Sequence, residues 1–443
     1  MKILLSFLIF FGWAQIALAQ PQDNSQWTLE QCIIYAREHN ITLRQQELNV
    51  DAAKNQLELK KLDLLPNLNA SSGYTTRLGR VRNDVNYQIT DVTTRFSDLN
   101  VSSTTPIFEG FTKRKSIEKG KIDWQAAIKD VEKAENDLAL NITALFIQIL
   151  FDQELLQSAQ QQLEVANLQM ERTEVLVKND KLPQGSLLEM NSMVARELMN
   201  VTSLENNLSM SLLELAQALD LEEVGNFNIQ KPDLPEFLSL ESIQDEEIYQ
   251  MAVNTLPQIA ASEMRLESGQ KDVEIARGYL WPRLSFSAGW GTSVSKFRNE
   301  PDFDFTQKFK DNAFRYYGLN LTIPIFNGLA TRKSITSAKI GSMNAKYELE
   351  KQKQILRKEI QQAQADALAA LRQYRAGDAA VESYQKSFSY TEKRFNLGLV
   401  NSVDYNVAKT DYTKAESDLI QARYTYMLRM KILDFYQGKP LID

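Results

Sequence analysis

The sequence is poor in the residues that build most metal centres and many catalytic sites. It has one cysteine, Cys32, and one histidine, His39, so an intrachain disulfide and a zinc site with several Cys or His ligands are excluded. A serine–histidine–aspartate triad would have to use His39. We therefore expect no catalytic, cofactor or metal site, with His39 structural or solvated and Cys32 an inert core residue.

Glycine, proline and positive charge are also scarce. The 17 glycines and 11 prolines are too few for a collagenous or low-complexity chain. The 50 basic and 57 acidic residues give a net charge of −7, which argues against nucleic acid as a partner. After residue 20 no uninterrupted apolar stretch approaches 18 residues, so we expect no transmembrane helix. Membrane β-strands give a much weaker sequence signal, so their presence is not excluded.

The first 19 residues have the pattern of an export signal. Lys2 precedes an apolar run over residues 3–14, and Ala17-Leu18-Ala19 supplies small residues for a signal peptidase. This pattern predicts a secretory signal peptide over residues 1–19, and the apolar run is short for a retained membrane anchor.

The mature sequence contains one internal repeat. Pro106–Gly110 matches Pro324–Gly328 at an offset of 218. The same offset relates further pairs, namely Arg114–Ile117 with Arg332–Ile335 and Lys121–Ile122 with Lys339–Ile340. The offset is 216 upstream and 214 downstream, where Leu219 matches Leu433. Such drift predicts small insertions in loops.

The repeat predicts a domain division. We expect a first repeat over residues 20–230, an acidic linker over 231–247 and a second repeat over 248–443. Each repeat is predicted to contain a helix, a β-hairpin and a long helical hairpin. The β-hairpins are placed at 66–108 and 282–325, and the helical hairpins at 111–220 and 329–437. The first helix should start at the capping box Thr28–Gln31 and run unbroken to about Leu64.

Four segments alternate between apolar and small polar residues. Between Leu284 and Trp290, for example, apolar residues alternate with serine and glycine. The other segments cover residues 68–78, 99–107 and 317–325, and each is about ten residues long, the length that a tilted membrane strand needs. We expect an interfacial aromatic belt that contains Tyr74, Trp290, Tyr316 and Tyr317. A soluble hairpin with one buried face is the alternative.

Apolar residues recur with alternating spacings of four and three over both long helical segments. In the first repeat the pattern runs from Trp124 to Val177 and is interrupted at Glu135, Asp152 and Thr173. A period of 3.5 over so many turns predicts a coiled coil. Since a helix rises 1.5 Å per residue, each long helix should be about 100 Å in length.

Four strands per chain cannot close a barrel, and an open sheet edge in lipid leaves backbone groups unpaired. Membrane strands would therefore require several copies to share one barrel. Two copies would give eight strands and three would give twelve. The small residues on one face favour the wider barrel, but the residues alone do not decide between two copies and three.

The paired segments Pro106–Gly110 and Pro324–Gly328, the strand starts at Leu65–Leu68 and Trp281–Leu284, and Arg394–Asp404 resemble the TolC family of outer-membrane efflux proteins. The resemblance implies an α+β membrane protein: a homotrimer with a shared transmembrane β-barrel, four strands per chain and twelve per trimer, above a long periplasmic α-helical coiled-coil barrel. It implies a passive exit duct for small molecules or proteins rather than an enzyme. The implied partners are outer-membrane lipid, a periplasmic adaptor protein and an inner-membrane pump.

The resemblance also implies that the adaptor binds at the turns of the helical hairpins. The expected contact residues are Gly398, Leu399, Val400, Asn401 and Ser402 in the second repeat and Leu182, Pro183, Gln184 and Gly185 in the first. Leu399 and Val400 are expected to be exposed, and the first turn to be about three residues longer than the second. Ordinary helix–helix turns are the alternative.

Asp404 matches the position where acidic side chains of the family ring the periplasmic pore aperture. Val407 stands where the family has a second acid. Phe395 and Val400 replace the tyrosine and arginine of the polar network that closes the aperture in the family, so this network does not carry over to the present chain. A solvated acid in a first helical turn is the alternative for Asp404. For the whole chain, a secreted coiled-coil scaffold or stalk explains the heptads but not the alternating segments, and no motif supports an exported hydrolase with a carboxylate pair.

Overall fold

The computed structural model describes residues 26–82, 89–221, 227–232, 245–297 and 303–439. The predicted signal peptide and most of the predicted linker lie outside these residues. In chain order the elements are α1 (Leu29–His39), α2 (Ile41–Leu62), β1 (Asn69–Arg82), β2 (Ile89–Glu109), α3 (Thr112–Lys178), α4 (Gln184–Ala218), α5 (Asp245–Thr255), α6 (Pro257–Gly278), β3 (Arg283–Phe297), α7 (Phe305–Asp311), β4 (Phe314–Thr322), α8 (Ala330–Asn396) and α9 (Ser402–Tyr436).

The tandem repeat is confirmed, and only the short helix α7 lacks a counterpart among the described residues of the first repeat. The long helices α3 and α8 have 67 residues each, and the returning helices α4 and α9 have 35 each. Both pairs start 218 residues apart, while α1 and α2 precede α5 and α6 by 216. The predicted downstream offset of 214 is wrong, because the helix that ends before Leu219 corresponds to the one that ends before Gln437, and Leu433 lies inside α9.

The predicted unbroken first helix is also wrong, since the chain bends at Asn40. The Asn40 side chain accepts a hydrogen bond from the backbone N–H of Leu43 at 3.0 Å and so starts α2 just after α1 ends. Asparagine competes with the helical backbone for such bonds and favours a cap. Pro257 starts α6 at the equivalent place in the second repeat, where proline tolerates the missing N–H.

Polar residues on the coiled-coil seam of α3 have local partners. Asp152 is buried and accepts hydrogen bonds from the Ser211 hydroxyl of α4 and from the Gln148 side chain. Thr173 is also buried and donates to the Gln169 carbonyl at 2.8 Å. The seam therefore continues through two of its interruptions, because these buried groups are satisfied.

Among the described residues, the largest hydrophobic core joins α1, α3, α4 and α9. Cys32, Ile142, Phe146 and Leu215 lie within it, and burial raises the pKa of the Cys32 thiol to about 12, which keeps the thiol protonated and inert. His39 is exposed and stacks on the Tyr35 ring. Within the described part of the chain, α3 is the one helix that is long and apolar enough to cross a membrane by length and composition. Of its most apolar 18-residue segment, 44% is buried against the rest of the protein.

The two repeats are joined by helix packing as well as by the sheet. α6 of the second repeat lies between α3 and α8, and α9 packs along α3. α2 packs on α3 in the way that α6 packs on α8. This arrangement places the helical hairpins α3–α4 and α8–α9 side by side, with both of their turns at the end remote from the sheet.

Candidate functional site

The strands form a single antiparallel sheet in the order β1-β2-β3-β4, so that the hairpins of the two repeats join between β2 and β3. Their lengths are 14, 21, 15 and 9 residues rather than about ten. β4 ends at Thr322 because Pro324 cannot donate to the ladder. Ile323 and Ile325, which were predicted to belong to this strand, therefore lie outside it. β1 and β4 are the edges of the described sheet.

The register confirms that most of the apolar residues of the four strands share one face, although Phe96 and Phe314 lie on the other. Phe286 pairs with Thr105 on one side and with Leu319 on the other, and residues directly opposite each other point the same way. This face also carries Tyr74, Leu78, Leu99, Val101, Leu284, Trp290, Tyr317 and Leu321. The other face carries mostly small or polar residues, including Asn69, Ser71, Gly73, Asn100, Ser102, Ser285, Ser287 and Asn320.

Two details of the sheet differ from the prediction. The register shifts between Pro106 and Phe108, so Ile107 stands in a bulge and does not continue the apolar row. Tyr316 pairs with Gly289 on the small-residue face, whereas Trp290 lies on the apolar face. A Cβ atom on Gly289 would lie 2.6 Å from the Tyr316 ring, so the ring covers the glycine and Tyr316 does not belong with the other aromatic residues.

The strand-to-helix segments Pro106–Gly110 and Pro324–Gly328 end in the same backbone conformation. Gly110 and Gly328 have φ values of 62° and 63°, and the residues after them are also left-handed. A Cβ atom on Gly110 would lie 2.2 Å from the Gly278 carbonyl oxygen at the end of α6. Glycine is therefore required there both by backbone angle and by close packing.

The two hairpin turns have the same length and the same hydrogen bonds. Each contains five residues between its helices, 179–183 and 397–401. The N–H groups of Lys181 and Leu399 each donate to a carbonyl five residues back at 2.9 Å, as in a Schellman motif. The prediction of a longer first turn is wrong, because Asp180 takes the left-handed position that Gly398 takes in the second turn.

The structure brings the predicted contact residues of both turns to one end of the molecule. Leu399 is 64% exposed, as predicted. The prediction that Val400 is exposed is wrong, because Val400 is half-buried, like its equivalent Leu182 in the first turn. Leu397 and Val403 add further exposed apolar surface around Leu399. The second turn therefore presents apolar side chains to solvent. The remaining predicted contact residues lie in the same two turns or at the starts of the helices that follow them; they are Pro183, Gln184, Gly185, Gly398, Asn401 and Ser402.

Side-chain bonds tie the two turns together. The Ser402 hydroxyl donates to the Glu189 carboxylate of α4, and the Arg172 guanidinium donates to the Asn396 side chain at 2.7 Å. Reasoning from the sequence missed Glu189, Arg172 and Asn396. No sequence pattern reveals them, since each pair joins different repeats and the residues are more than 200 positions apart.

Asp404 lies exposed in the first turn of α9, three residues after the helix cap. The Asn401 side chain accepts a hydrogen bond from the Asp404 N–H at 2.8 Å and so caps the helix. The carboxylate benefits from the positive end of the helix dipole. Val407 lies one turn further along α9 and is exposed as well.

Charged groups connect α3 and α9 midway along the hairpins. Glu154 of α3 accepts hydrogen bonds from Arg423 and from the Tyr424 hydroxyl, the latter at 2.7 Å. Burial raises the pKa of Glu154, but the Tyr424 hydrogen bond and the charge of Arg423 outweigh it and lower the pKa. Lys409 is buried nearer the turns and donates to the Gln162 carbonyl at 3.4 Å, and burial lowers the pKa of its ammonium group.

The structure also bears on metal binding. Over the described ranges, no group of three or more His, Cys, Asp or Glu side chains is placed to hold an ion. The conspicuous surfaces are instead the two-faced sheet and the distant turns.

Comparisons with known proteins agree with this geometry. The model of the family described as "Outer membrane efflux protein" matches residues 33–220 and 248–436. Outer membrane protein TolC of Salmonella enteritidis is 22% identical over 454 residues, covering 99% of this chain and 86% of that protein. A solved membrane protein of Pseudomonas aeruginosa is 17% identical with a TM-score of 0.78, covering 93% of this chain and 90% of that one. The Campylobacter jejuni CmeC outer membrane channel is 18% identical with a TM-score of 0.76, covering 94% and 87%.

The family model covers most of both repeats, including the long helical hairpins and the sheet. A secreted scaffold or stalk would not account for the sheet or for these matches. The chain therefore belongs to the outer membrane efflux protein family, and it is a channel of the outer membrane that extends into the periplasm and serves efflux or secretion.

Proposed function

We propose that the chain acts as a homotrimer whose twelve strands close one β-barrel, and that this trimer is a passive exit duct. The open sheet edges β1 and β4 carry the proposal. An unpaired edge in lipid costs several kcal/mol for each unsatisfied backbone group, so the strands need partners from other copies. The apolar face with Phe286 and Leu321 meets lipid, and the small face with Ser287 and Asn320 lines the lumen.

The proposed partners at the other end are a periplasmic adaptor and, through it, an inner-membrane pump. The turns lie about 100 Å from the sheet because α3 and α8 each contain 67 residues. The exposed apolar group Leu397, Leu399 and Val403 supports docking there. The adaptor contact extends over residues 398–402 and 182–185, and Asp404 contributes one carboxylate per copy to the aperture.

The duct is proposed to have no enzymatic activity of its own. The domain division that goes with this proposal is a signal peptide over residues 1–19, repeats over 20–230 and 248–443, and a linker over 231–247. Energy for export then comes from the pump, and the chain supplies only a water-filled path.

Native mass spectrometry and bilayer recordings test the proposal. The mature protein in mild detergent should have the mass of three chains and should form water-filled channels in planar bilayers. Cells that lack the chain but keep the pump and adaptor should lose export, and the restored gene should recover it. A monomeric mass, or trimers that do not conduct, would overturn the proposal.

A further inference from the structure

Helices of the two repeats contact each other within one chain. The equivalent surfaces on the other helices of each pair have no such partner within the same chain. α3 is covered by α6 and α9 of the second repeat. The repeat relates α3 to α8, α6 to α2 and α9 to α4. We propose that α8 of one copy packs against α2 and α4 of a second copy in the register set by offsets of 216 and 218, with ion pairs Lys333–Glu58 and Arg372–Glu205. This inference rests on the proposed homotrimer and specifies which residues join its copies.

Exposed apolar residues on α8 mark the open contact. Ile122 of α3 is only 8% exposed, whereas the equivalent Ile340 of α8 is 58% exposed. Met343 and Tyr347 continue the exposed apolar stripe from Ile340 at spacings of three and four residues, which place them on one side of the helix. Since α6 covers α8 as α2 covers α3, the difference at Ile340 arises from the missing counterpart of α6. The surface around Ile340 therefore requires a helix like α6, and α2 of a second copy is that helix.

The surface of α2 shows the complementary difference. α6 packs on both α3 and α8, while the main partner of α2 within the described chain is α3. Ser268 and Ala276 of α6 are buried, but the equivalent Ala52 and Lys60 of α2 are exposed. The exposed leucines of α2 are Leu48, Leu59 and Leu62. A second copy that covers them removes apolar surface from water, which is favourable.

The first proposed ion pair has the same charges as the equivalent pair within one chain. Lys115 of α3 lies 2.9 Å from Glu274 of α6. Offsets of 218 and 216 convert this pair into Lys333 of α8 and Glu58 of α2. Both are exposed, and Lys333 has no salt-bridge partner among the residues that the structure describes.

The second ion pair exchanges its charges. Glu154 of α3 bonds to Arg423 of α9, and the offset of 218 converts them into Arg372 of α8 and Glu205 of α4. The signs are reversed on both sides, so the attraction is kept. Arg372 and Glu205 are exposed, and neither has a salt-bridge partner in the described part of the chain.

A neighbouring position changes from polar to apolar on both sides. Ser158 of α3 donates to Glu416 of α9 at 3.2 Å, and the equivalent residues are Ala376 of α8 and Leu198 of α4. Leu198 is 54% exposed. Paired replacement of this kind is what a contact between two surfaces requires, and it favours a second copy over an unrelated partner, which would not share the register of the repeat.

Charge reversal tests the register. In Arg372→Glu or Glu205→Arg two like charges face each other between copies, and the double variant restores the pair. We expect each single variant to lower the trimer fraction in mild detergent at low salt by about tenfold, and the double variant to recover most of it. Lys351→Glu is the matched control and should assemble normally. Lys351 lies on α8, and its equivalent Lys133 on α3 stays 45% exposed although it lines a surface cavity with Gln258 and Ser262 of α6.

A cysteine pair gives a direct readout. Arg372→Cys combined with Glu205→Cys should crosslink copies into dimers and trimers under oxidation, while buried Cys32 should not. Normal trimers in both charge-reversal variants together with no crosslink would overturn the inference and leave the homotrimer standing. A wild-type chain that is not trimeric would instead overturn the proposed function.

Discussion

Asp180 and Gly398 occupy the same position in the two hairpin turns and share a left-handed backbone, with φ values of 58° and 74°. In both turns the next N–H bonds to a carbonyl five residues back at 2.9 Å. Glycine adopts this conformation without a steric penalty, whereas aspartate pays one, although it is among the residues that tolerate it best. The two turns thus have one geometry and different local stabilities.

Asp180→Gly should therefore stabilise the first turn by about 1 kcal/mol, and Gly398→Ala should destabilise the second by a similar amount. Hydrogen exchange of the amides in residues 176–186 and 394–404 measures both effects. Gly185→Ala is the control, because Gly185 lies inside α4 with no atom within 4 Å of the added Cβ and should gain helix stability. Faster exchange in Asp180→Gly would contradict the assignment.

The sequence predicted what periodicity and repetition encode. The seam from Trp124 to Val177 predicted most of α3 and the end of that helix, and the alternation after Leu284 predicted which face of β3 is apolar. The equal turn lengths were missed because Asp180 fills in the first turn the left-handed position that Gly398 fills in the second. The helix break at Asn40 was missed because the apolar pattern continues across it, although Asn40 and Pro257 stand close to equivalent positions.

Contacts between the repeats were beyond the reach of sequence patterns. The bonds of Glu154 with Arg423 and of Glu189 with Ser402 join residues more than 200 positions apart. Period and capping rules describe neighbours on one helix, and they carry no information on which face meets a different repeat. These contacts depend on how two long helices lie side by side, which only the structure gives.

The junction between α3 and α9 should be sensitive to acid. The pKa of Glu154 is lower in the folded chain than its ordinary value, so its stabilising contribution is complete above the unfolded pKa of about 4.3 and is lost as the pH falls through the folded value. Opening of this junction, followed by fluorescence labels on α3 and α9, should rise below about pH 4. Glu154→Gln should already be partly open at pH 7 and should respond less to acid, and an unchanged acid response would exclude Glu154 as the cause.

The two faces of the sheet should respond differently to charge. Leu321→Arg places a cation on the proposed lipid face and should cost about 2–4 kcal/mol near the membrane midplane, which lowers the yield of trimer. Asn320→Arg, the neighbouring residue on the lumen face, should assemble normally and change the ion selectivity of the channel. Heat-modifiable trimer bands on gels and single-channel recordings compare the two variants, and the reverse result would show that the faces are inverted.

Asp404 should bind divalent cations if it lines the aperture. Three symmetry-related carboxylates in a narrow pore attract cations, so millimolar divalent ions added on the periplasmic side should block single-channel current. Asp404→Asn should relieve the block and leave assembly intact, because the exposed carboxylate makes no structural bond among those described. Asn401→Ala is the matched comparison: it removes the helix cap, with a cost of about 1 kcal/mol, but should keep the block. A block that persists in Asp404→Asn would return Asp404 to the role of a solvated acid at a helix start.

Adaptor docking should depend on the exposed side chain of the second turn. Leu399 is 64% exposed, whereas Val400 is half-buried, so Leu399→Asp changes the docking surface with less disturbance of the turn than Val400→Asp would cause. The new carboxylate would have to lose its water on docking, which is costly without a partner. Because the turn lies about 100 Å from the sheet, trimers should form normally while crosslinking to the adaptor and export are both lost. Leu168→Asp, the same change at an exposed position on the side of α3, should keep both, and normal export by Leu399→Asp would move the contact to Leu182 and Pro183 in the first turn.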